Sequence, residues 1–322
     1  MSKGVRLAVV GVTGEVGRAV LAMLEERELP LAEIHALASA ASAEETVMFN
    51  GRPLLVGDLA EFDFAQADIA IFAVPGAVAD AFVPVARAAG CRVIDHSPVF
   101  RLDEEVPLLM EGMAVPDAGL VACPGALATL LVPALGSVKD IRSVQVTVLS
   151  PVSTAGRAGV RELAGQTGEL LNGRGIEPAV FPAQIAFNTL PLADSSSDEL
   201  MDELERLLPV TFPVAVAEAR VPVFYGLTLS VSVQTGTSAS LEDLRRNLLA
   251  AGVREADPES DQGVVTPVTE ASGQDGVYLA GLSALPAPLE GVQFWLVGDN
   301  VRQGGARHSL HVLEKWIKDF KY

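Results

Sequence analysis

Apolar runs of strand length alternate with helical patterns in the first third or so of the chain. In chain order, the predicted strands and helices are Leu7–Val10, 15–27, Ile34–Ala38, Ile69–Val74, 77–89 and Arg92–Ile94. Strands separated by helices are typical of a parallel sheet with crossover helices. Between residues 44 and 63 the pattern changes, because Asn50-Gly51 separates two short apolar runs and favours a tight turn. This stretch is predicted to be a hairpin inserted into the sheet.

From Ala126 onward the strands and helices follow no strict alternation. The predicted strands are Val144–Leu149, Val214–Ala217, Thr228–Val233 and Phe294–Val297, and the predicted helices are 160–171, 198–208, 240–250 and, at the end, 305–320. Alternating apolar and polar positions in these strands favour a mixed sheet that is covered on one face. The change of pattern predicts an α/β protein with a domain boundary near Ala126.

The segment Gly11-Val12-Thr13-Gly14-Glu15-Val16-Gly17 connects the first predicted strand to the first predicted helix. After a buried strand the chain must turn sharply, admit a pyrophosphate to the backbone and pack the helix on the sheet, and a side chain obstructs each step. The helix N-terminus offers N–H groups to phosphates. We therefore interpret Gly11, Gly14 and Gly17 as the turn of a Rossmann-like nucleotide-binding domain.

Composition and charge exclude several classes of function. The 322 residues carry a formal net charge of −18, which disfavours nucleic acid and anionic membranes as partners. The sequence has no apolar run long enough to span a membrane and no signal-peptide core, so we expect a cytoplasmic protein. The two cysteines, Cys91 and Cys123, lie in separate segments and suggest neither a disulfide nor a zinc site.

Other candidate chemistry is weak. The residues of Asp95-His96-Ser97 are those of a hydrolase triad, but neighbours in an extended segment point to opposite faces. His308 and His311 share a helix face without a third ligand, so we expect surface packing and no metal. Trp295 and Trp316 are predicted to be core residues.

Several segments resemble aspartate-semialdehyde dehydrogenase, a two-domain enzyme family that reduces an acyl phosphate to an aldehyde with NADPH. The chain is most similar to the Usg-type paralogues, which lack the catalytic cysteine. Besides the glycine loop, the matching segments are 94–101 (IDHSPVFR), 186–191 (AFNTLP), 220–223 (RVPV) and 298–302 (GDNVR). The resemblance covers nearly the whole chain. It implies a dinucleotide-binding domain of residues 1–125 plus the last helix, 304–322, and an α+β substrate and dimerisation domain of residues 126–303.

Three catalytic positions of the family are replaced in this chain. Registering the family pattern N-P-N-C-[ST] on Pro124 places Ala126 at the nucleophile position, and a methyl group cannot form a thioester. Ser150 stands at the position of the substrate-orienting glutamine, and Leu227 at that of the general acid/base histidine. Cys123 precedes Pro124, where the backbone favours an extended conformation, so we interpret it as a small buried hydrophobe.

The anion-binding positions are better preserved. The resemblance places Arg101 and Arg206 at the two phosphate-binding positions, and Arg220 where an arginine holds the substrate carboxylate. Glu203 matches the partner of the substrate amine. Guanidinium groups suit such anions. Ion pairing along helix 198–208 explains Glu203 and Arg206 equally well, because they lie at helical spacing.

The cofactor preference is open. Members of the family that use NADP carry an arginine in S-x-R-S-A-G, whereas the matching stretch here is 39–44 (SAASAE), with Ala41 at the arginine position. Glu44 would repel a 2′-phosphate, which favours NAD or weak NADP binding. Residues 72–76 read FAVPG where the family reads F-S-A-G-G, and we expect this difference to narrow the cofactor groove. The implied cofactor-binding positions are Gly11, Thr13, Gly14, Val16, Gly17, Ser39 and Asn300.

The leading hypothesis is a member of the family that is impaired in the family reaction and forms a homodimer. Such a protein could bind a cofactor or a small anionic metabolite, or assemble with a protein partner. An alternative is an active oxidoreductase that acts on an aldehyde or oxo group with NAD(P) by a mechanism without a thioester. A third is a structural protein whose nucleotide pocket is closed.

Overall fold

The computed structural model describes residues 4–193, 197–209, 211–238, 240–256 and 264–319. The chain divides into two compact units. The first unit comprises residues 1–125 and 305–322, and the second comprises residues 126–304. The end of the predicted last helix, Phe320, lies outside the described residues.

Helices and strands are numbered here in chain order over the described residues. The helices are α1 (Glu15–Glu25), α2 (Gly76–Ala88), α3 (Pro98–Arg101), α4 (Ala126–Leu135), α5 (Gly156–Leu171), α6 (Ser197–Leu207), α7 (Leu241–Ala250) and α8 (Arg307–Asp319). The strands are β1 (Val5–Val10), β2 (Leu31–Ala38), β3 (Thr46–Phe49), β4 (Arg52–Asp58), β5 (Ile69–Phe72), β6 (Arg92–Asp95), β7 (Leu120–Ala122), β8 (Ile141–Ser150), β9 (Leu190–Pro191), β10 (Val214–Arg220), β11 (Leu227–Thr235), β12 (Val253–Glu255), β13 (Val277–Ala284) and β14 (Gly291–Gly298).

The sheet of the first unit has the strand order β3-β4-β2-β1-β5-β6-β7. Neighbouring strands are parallel except β3 and β4, which form the predicted hairpin about Asn50-Gly51. The predicted Rossmann-like parallel sheet is therefore confirmed. The sequence pattern did not show that β4 also pairs in parallel with β2.

Burial explains the strand and helix pattern of this unit. Nearly all of β1 is buried, as expected of a central parallel strand that is covered on both faces. Helix α1 buries one stripe of side chains, which includes Val20 and Leu24. From α8, the side chain of Trp316 is completely buried in the same core, and the Arg92 guanidinium lies 4.3 Å from its ring centroid. The prediction that Trp316 is a core residue is confirmed.

The sheet of the second unit has the order β12-β13-β14-β11-β8-β10-β9 and is mixed, as predicted. The pairs β8–β10 and β12–β13 are parallel, and the other pairs are antiparallel. Alternate residues of β8 and β11 enter a core that they share with α4, α6 and α7. These three helices therefore pack on one face of the sheet.

The opposite face corrects one prediction. Trp295 lies on β14 between the buried residues Phe294 and Leu296, and alternation turns it to the other face, where 41% of its surface is exposed. It is not a core residue. Around it the face carries mostly small and polar side chains, such as Gln145 and Thr147 of β8.

Six of the described elements were missing from the sequence prediction: α3, α4, β7, β9, β12 and β13. Helix α4 is apolar all round and contains Pro133, so no amphipathic period marks it, and six of its ten residues are buried. Strand β13 lacks a strong alternating pattern. Within the described residues, no helix has both the length and the apolar character needed to cross a membrane.

Candidate functional site

The glycine loop joins β1 to α1 through two close backbone approaches. Gly11 has φ +85°, in the left-handed region, and a Cβ on it would lie 2.2 Å from the carbonyl oxygen of Ala73. A Cβ on Gly17 would lie 2.3 Å from the carbonyl oxygen of Gly11. Side chains at either position would force these segments apart. The glycines are therefore steric requirements of this strand-to-helix connection.

A cavity of about 540 Å³ opens at the glycine loop. The described residues that line it are Val10, Gly11, Thr13, Gly14, Ala38, Ser39, Ala40, Asp58, Leu59, Ala60, Ala73, Val74, Pro75, Val78 and Phe82. They follow the carboxyl ends of β1, β2, β4 and β5, at the point where the strand order reverses about β1. Ligands of open α/β sheets bind in this crevice, and the start of α1 is suited to phosphate.

The structure distributes the predicted cofactor positions unevenly. Four of them line the cavity: Gly11, Thr13, Gly14 and Ser39. Gly17 packs under the loop, and Val16 belongs to the first turn of α1 without lining the cavity. Asn300 belongs to the second unit. The role of each in binding remains a prediction.

Sequence reasoning missed Asp58, the charged residue in the lining. It ends β4, and its register partner is Ala38, the last residue of β2. Its carboxylate accepts a hydrogen bond of 3.0 Å from the Ala60 N–H. Glu44, which we expected to oppose a 2′-phosphate, is not among the described lining residues. Asp58 could have been identified only from the parallel pairing of β4 with β2, and the sequence pattern does not show that pairing.

A buried polar group follows β6. Asp95 is completely buried and accepts hydrogen bonds from the Ser97 backbone N–H at 2.9 Å and the Ser97 hydroxyl at 2.6 Å. Burial raises the pKa of Asp95 to about 6. The Nε2 atom of His96 is buried without a partner among the described residues, and burial lowers the pKa of His96 to about 3. No His96 contact completes a hydrolase triad in the described residues.

Arg101, expected to bind phosphate, donates to two main-chain carbonyls of its own unit. Its Nε lies 3.1 Å from the Cys123 oxygen and its Nη2 lies 2.7 Å from the His96 oxygen. These bonds hold the guanidinium beside the ends of β6 and β7. Cys123 is itself fully buried, as predicted, and this burial raises the pKa of its thiol. A protonated, inaccessible thiol is a poor nucleophile.

Three positions singled out in the second unit meet at one edge of its sheet. Ser150 and Arg220 are register partners at the carboxyl ends of β8 and β10. Leu227 begins β11, on the other side of β8. Ser150 and Leu227 are almost completely buried. The sheet register therefore brings together the positions that the resemblance identified from distant parts of the sequence.

Ala126 begins α4 in the same unit. A Cβ on Gly304 would lie 2.6 Å from the Cβ of Ala126, so the start of this helix packs closely against the loop after β14. A helix N-terminus lowers the pKa of a thiol and stabilises a thiolate. Ala126 therefore lies where a helix N-terminus would favour a thiolate, but its own side chain is a methyl group.

Ser150 and Arg220 have different partners. The Ser150 hydroxyl donates a short hydrogen bond to the Glu218 carboxylate. The Arg220 guanidinium lies 5.3 Å from the ring centroid of Phe181, and its Nη2 lies 3.4 Å from the Thr154 hydroxyl. Its Nε is buried without a hydrogen-bond partner among the described residues. This arginine is positioned by an aromatic ring and retains an unused donor.

The loop after β14 is held by side-chain bonds within the second unit. The Asn300 amide accepts a bond of 3.1 Å from the Gly226 N–H and donates one of 3.0 Å to the Ser153 hydroxyl. Asp299 accepts bonds of 2.7 Å from the N–H groups of Val301 and Gly273. Asn300 therefore ties this loop to the chain just before β11.

Glu203 and Arg206 lie on α6, one turn apart. Glu203 is 4% exposed, whereas Arg206 is partly exposed. The burial of Glu203 is unusual for a carboxylate. The structure brings neither residue into the cavity at the glycine loop. The choice between substrate binding and helix pairing stays open.

The histidines of α8 correct another expectation. His308 is 1% exposed, and its Nδ1 accepts a bond of 3.1 Å from the Glu111 N–H. It is therefore a core residue and not a surface one, and burial lowers its pKa to about 3. His311 contacts the Met113 carbonyl oxygen at 3.0 Å. Over the described residues, no group of three or more His, Cys, Asp or Glu side chains is arranged to hold a metal ion.

Comparison with known proteins agrees with both units. Residues 6–117 match the family model described as semialdehyde dehydrogenase, NAD binding domain. Residues 131–303 match the model described as semialdehyde dehydrogenase, dimerisation domain. The two matches together cover most of the chain.

Individual relatives span the full length. The chain is 38% identical to a USG-1 protein homolog of Pseudomonas aeruginosa, with 99% of the chain and 100% of that protein covered. It is 34% identical to an aspartate-semialdehyde dehydrogenase of Legionella pneumophila, with 99% of the chain and 98% of that protein covered. The crystal structure of aspartate semialdehyde dehydrogenase II from Vibrio cholerae, complexed with ASA, is similar with a TM-score of 0.87, 33% identity and coverage of 99% and 100%. The chain therefore belongs to the semialdehyde dehydrogenase family, with both its NAD-binding domain and its dimerisation domain.

Proposed function

We propose that this protein binds a nicotinamide dinucleotide and a small anionic metabolite but does not catalyse the thioester reaction of the aspartate-semialdehyde dehydrogenases. That reaction is the NADP-dependent interconversion of aspartyl phosphate and aspartate semialdehyde. The observation that carries the proposal is the replacement of the nucleophile and base positions by Ala126 and Leu227 within otherwise intact architecture.

The nucleophile has no substitute close by in the sequence. A thioester requires a thiolate, and Ala126 supplies none. Cys123, three residues earlier in the chain, is fully buried, and its pKa is raised by that burial. A displaced role for Cys123 would require both exposure and deprotonation. The other cysteine, Cys91, is also buried, and its pKa is raised to about 11.

The base position is equally unsuited to the reaction. Leu227 is 2% exposed and packs in the core of the second unit. It has no exchangeable proton, and a general base contributes about 10²–10⁴-fold to such reactions. The position of the substrate-orienting glutamine holds Ser150, whose hydroxyl is bonded to Glu218. Three functions of the family mechanism are therefore missing together.

The pocket for an anion has been retained in part. Arg220 is fixed by its stacking on Phe181, and its Nε has no partner among the described residues. A buried donor without a partner costs free energy, which an anion at this site recovers by accepting its hydrogen bond. Thr154, 3.4 Å from the guanidinium, can contribute a hydroxyl. We expect a small carboxylate or phosphate at this position.

The second unit supports a homodimer. Its sequence matches a dimerisation-domain model, and the face of its sheet opposite α4, α6 and α7 exposes Trp295. A flat face of small and polar residues around an indole ring suits a self-complementary interface. Sedimentation analysis tests this, because Trp295→Glu should shift a dimer toward monomer, whereas an unchanged dimer would place the interface elsewhere.

An activity assay tests the central proposal. The protein is purified from a host that lacks aspartate-semialdehyde dehydrogenase and is assayed for NADP- and phosphate-dependent oxidation of aspartate semialdehyde. We expect no rate above the blank. A rate that is lost in Cys123→Ala would overturn the proposal and identify Cys123 as a displaced nucleophile.

A restoration variant provides the matched positive control. The triple change Ala126→Cys, Ser150→Gln and Leu227→His supplies the residue types of the family mechanism at their positions. We expect it to gain measurable activity, and the additional change Arg220→Met to remove that activity. If the unaltered protein has measurable activity equal to that of the triple variant, the proposed impairment is refuted.

One observation favours a second candidate function. Ser150 is the register partner of Arg220 and donates a hydrogen bond to Glu218, two residues before Arg220 on β10, so a proton donor and an anion-binding group share one end of the sheet. Direct hydride transfer to an oxo group needs these groups and no thioester. A screen of small oxo acids with NADH and NADPH tests this. Turnover that Glu218→Gln abolishes would support it, and absence of turnover across the screen would exclude it.

A further inference from the structure

We infer that Asp58 is the residue that sets the cofactor preference of this protein, by binding the adenosine ribose hydroxyls of NAD and excluding the 2′-phosphate of NADP. The inference deepens the proposed dinucleotide function and rests on it. Asp58 lies outside residues 39–44, the stretch that matches the cofactor-selecting segment of the family.

The placement of Asp58 follows from the sheet register. Strand β2 ends at Ala38 and is followed by Ser39, and neither residue has a carboxylate, so the acidic group that NAD-binding folds commonly have at the end of the second strand is missing. Strand β4 runs parallel to β2, and Asp58 is the register partner of Ala38. Parallel strands end at the same edge of a sheet. The neighbouring strand therefore supplies the missing carboxylate at the same edge of the same cavity.

The surroundings of Asp58 suit a ribose diol. One carboxylate oxygen is fixed by the Ala60 N–H at 3.0 Å, and this is the bond that the structure shows for this side chain. The bond holds the carboxylate at the wall of the cavity and leaves acceptor capacity for two hydroxyl donors. Apolar residues of the same cavity, Leu59, Val78 and Phe82, offer surface for the adjoining adenine.

The charge of the cavity opposes a 2′-phosphate. Among the described lining residues Asp58 is the charged one, and none is a lysine or arginine. A 2′-phosphate would replace a hydrogen-bond donor by a dianion beside a carboxylate. Hydrogen bonds to charged groups contribute a factor of about ten to a hundred in affinity. NAD should therefore bind at least about tenfold more tightly than NADP.

Titration calorimetry of the full-length protein with NAD and NADP tests the inference. The variant Asp58→Asn keeps an oxygen for the Ala60 N–H and removes the charge. It should weaken NAD binding about tenfold and bring the NAD and NADP affinities close together. Thermal melting of the same samples verifies that the variant is folded.

The chain offers a matched control in Asp63. Its side chain accepts the Ala65 N–H at 3.0 Å, in the same turn geometry, but it does not line the cavity. Asp63→Asn should leave the NAD:NADP ratio unchanged. The fragments 5′-AMP and adenosine 2′,5′-bisphosphate should reproduce the discrimination, because they carry the adenosine ribose alone.

The outcomes separate the inference from the proposed function. Equal affinity of the unaltered protein for NAD and NADP, or a ratio that Asp58→Asn and Asp63→Asn change alike, overturns the role of Asp58 while dinucleotide binding stands. Failure of both dinucleotides to bind overturns the proposed binding function, and the role of Asp58 falls with it.

Discussion

Acid should destabilise the first unit, because the surroundings of the partly buried His96 and the fully buried His308 favour the neutral form of each imidazole. Burial lowers the pKa of each to about 3. For His308 the cause is also visible in geometry, since its Nδ1 accepts the Glu111 N–H and protonation would set two donors against each other. The unfolded chain binds more protons than the folded chain between pH 6.5 and pH 3. Stability is therefore complete above pH 6.5 and falls as the pH falls.

The magnitude follows from these pKa values. Each histidine has an unfolded-state pKa of about 6.5 and a folded-state pKa of about 3. Lowering the pH from 7.5 to 5 therefore reduces the free energy of unfolding by about 2 kcal/mol for each histidine. Asp95 acts in the opposite direction, because its folded-state pKa of about 6 lies above its unfolded value. Over the same interval Asp95 raises the free energy of unfolding by about 1 kcal/mol. The net loss is about 3 kcal/mol.

Urea unfolding followed by tryptophan fluorescence measures this loss. Trp295→Phe leaves Trp316, which is buried in the first unit, as the reporter. In this background His308→Asn should remove about half of the pH dependence caused by the histidines, because one of the two imidazoles is gone. The asparagine amide oxygen can still accept the Glu111 N–H, so the hydrogen bond is kept.

His311→Asn is the matched control on the same helix, because His311 is only partly buried. It should leave the curve unchanged. Parallel pH curves for the His308→Asn and His311→Asn variants would refute the reasoning, since they would show that burial of His308 does not couple folding to protonation.

Three further predictions concern single residues. Gly17→Ala should destabilise the first unit by about 1–3 kcal/mol in urea unfolding and weaken NAD binding, because its Cβ would lie 2.3 Å from the Gly11 oxygen. In Gly14→Ala the corresponding distance is 3.2 Å, so the effect should be smaller, and equal effects of the two variants would contradict the steric argument. Cys123 should resist iodoacetamide in the folded protein and react fully in urea, as followed by mass spectrometry, and rapid native labelling would contradict its burial. Arg220→Met should abolish the rise in melting temperature that phosphate or aspartate produces, and an undiminished rise would place the anion elsewhere.

Local patterns in the sequence predicted the glycine loop, and the family resemblance predicted the replaced catalytic positions. The close approach of Gly17 to Gly11 joins residues that are near in the chain, so the strand-to-helix turn can be recognised locally, whereas the approach of Gly11 to Ala73 depends on the fold. Ala126 and Leu227 are equally decisive, because a side chain without a nucleophilic or exchangeable group lacks it in any fold.

Patterns of hydrophobicity failed where burial depends on distant partners. Trp295 looks like a core residue in sequence, yet the pairing of β14 turns it to the face of its sheet opposite α4, α6 and α7. His308 looks like a surface residue on an amphipathic helix, yet it packs against the segment around Glu111. Neither outcome is encoded in nearby residues.

The sequence by itself determined the family, the order of most strands and helices, and the residue types at the positions that the family resemblance assigns to the reaction. Only the tertiary structure decided which distant residues share a site. Asp58 lines the cavity at the glycine loop because β4 pairs in parallel with β2, and Ser150 is a neighbour of Arg220 because β8 pairs with β10. Chemical identity is a property of each residue alone, whereas proximity is set by the register of strands far apart in the chain.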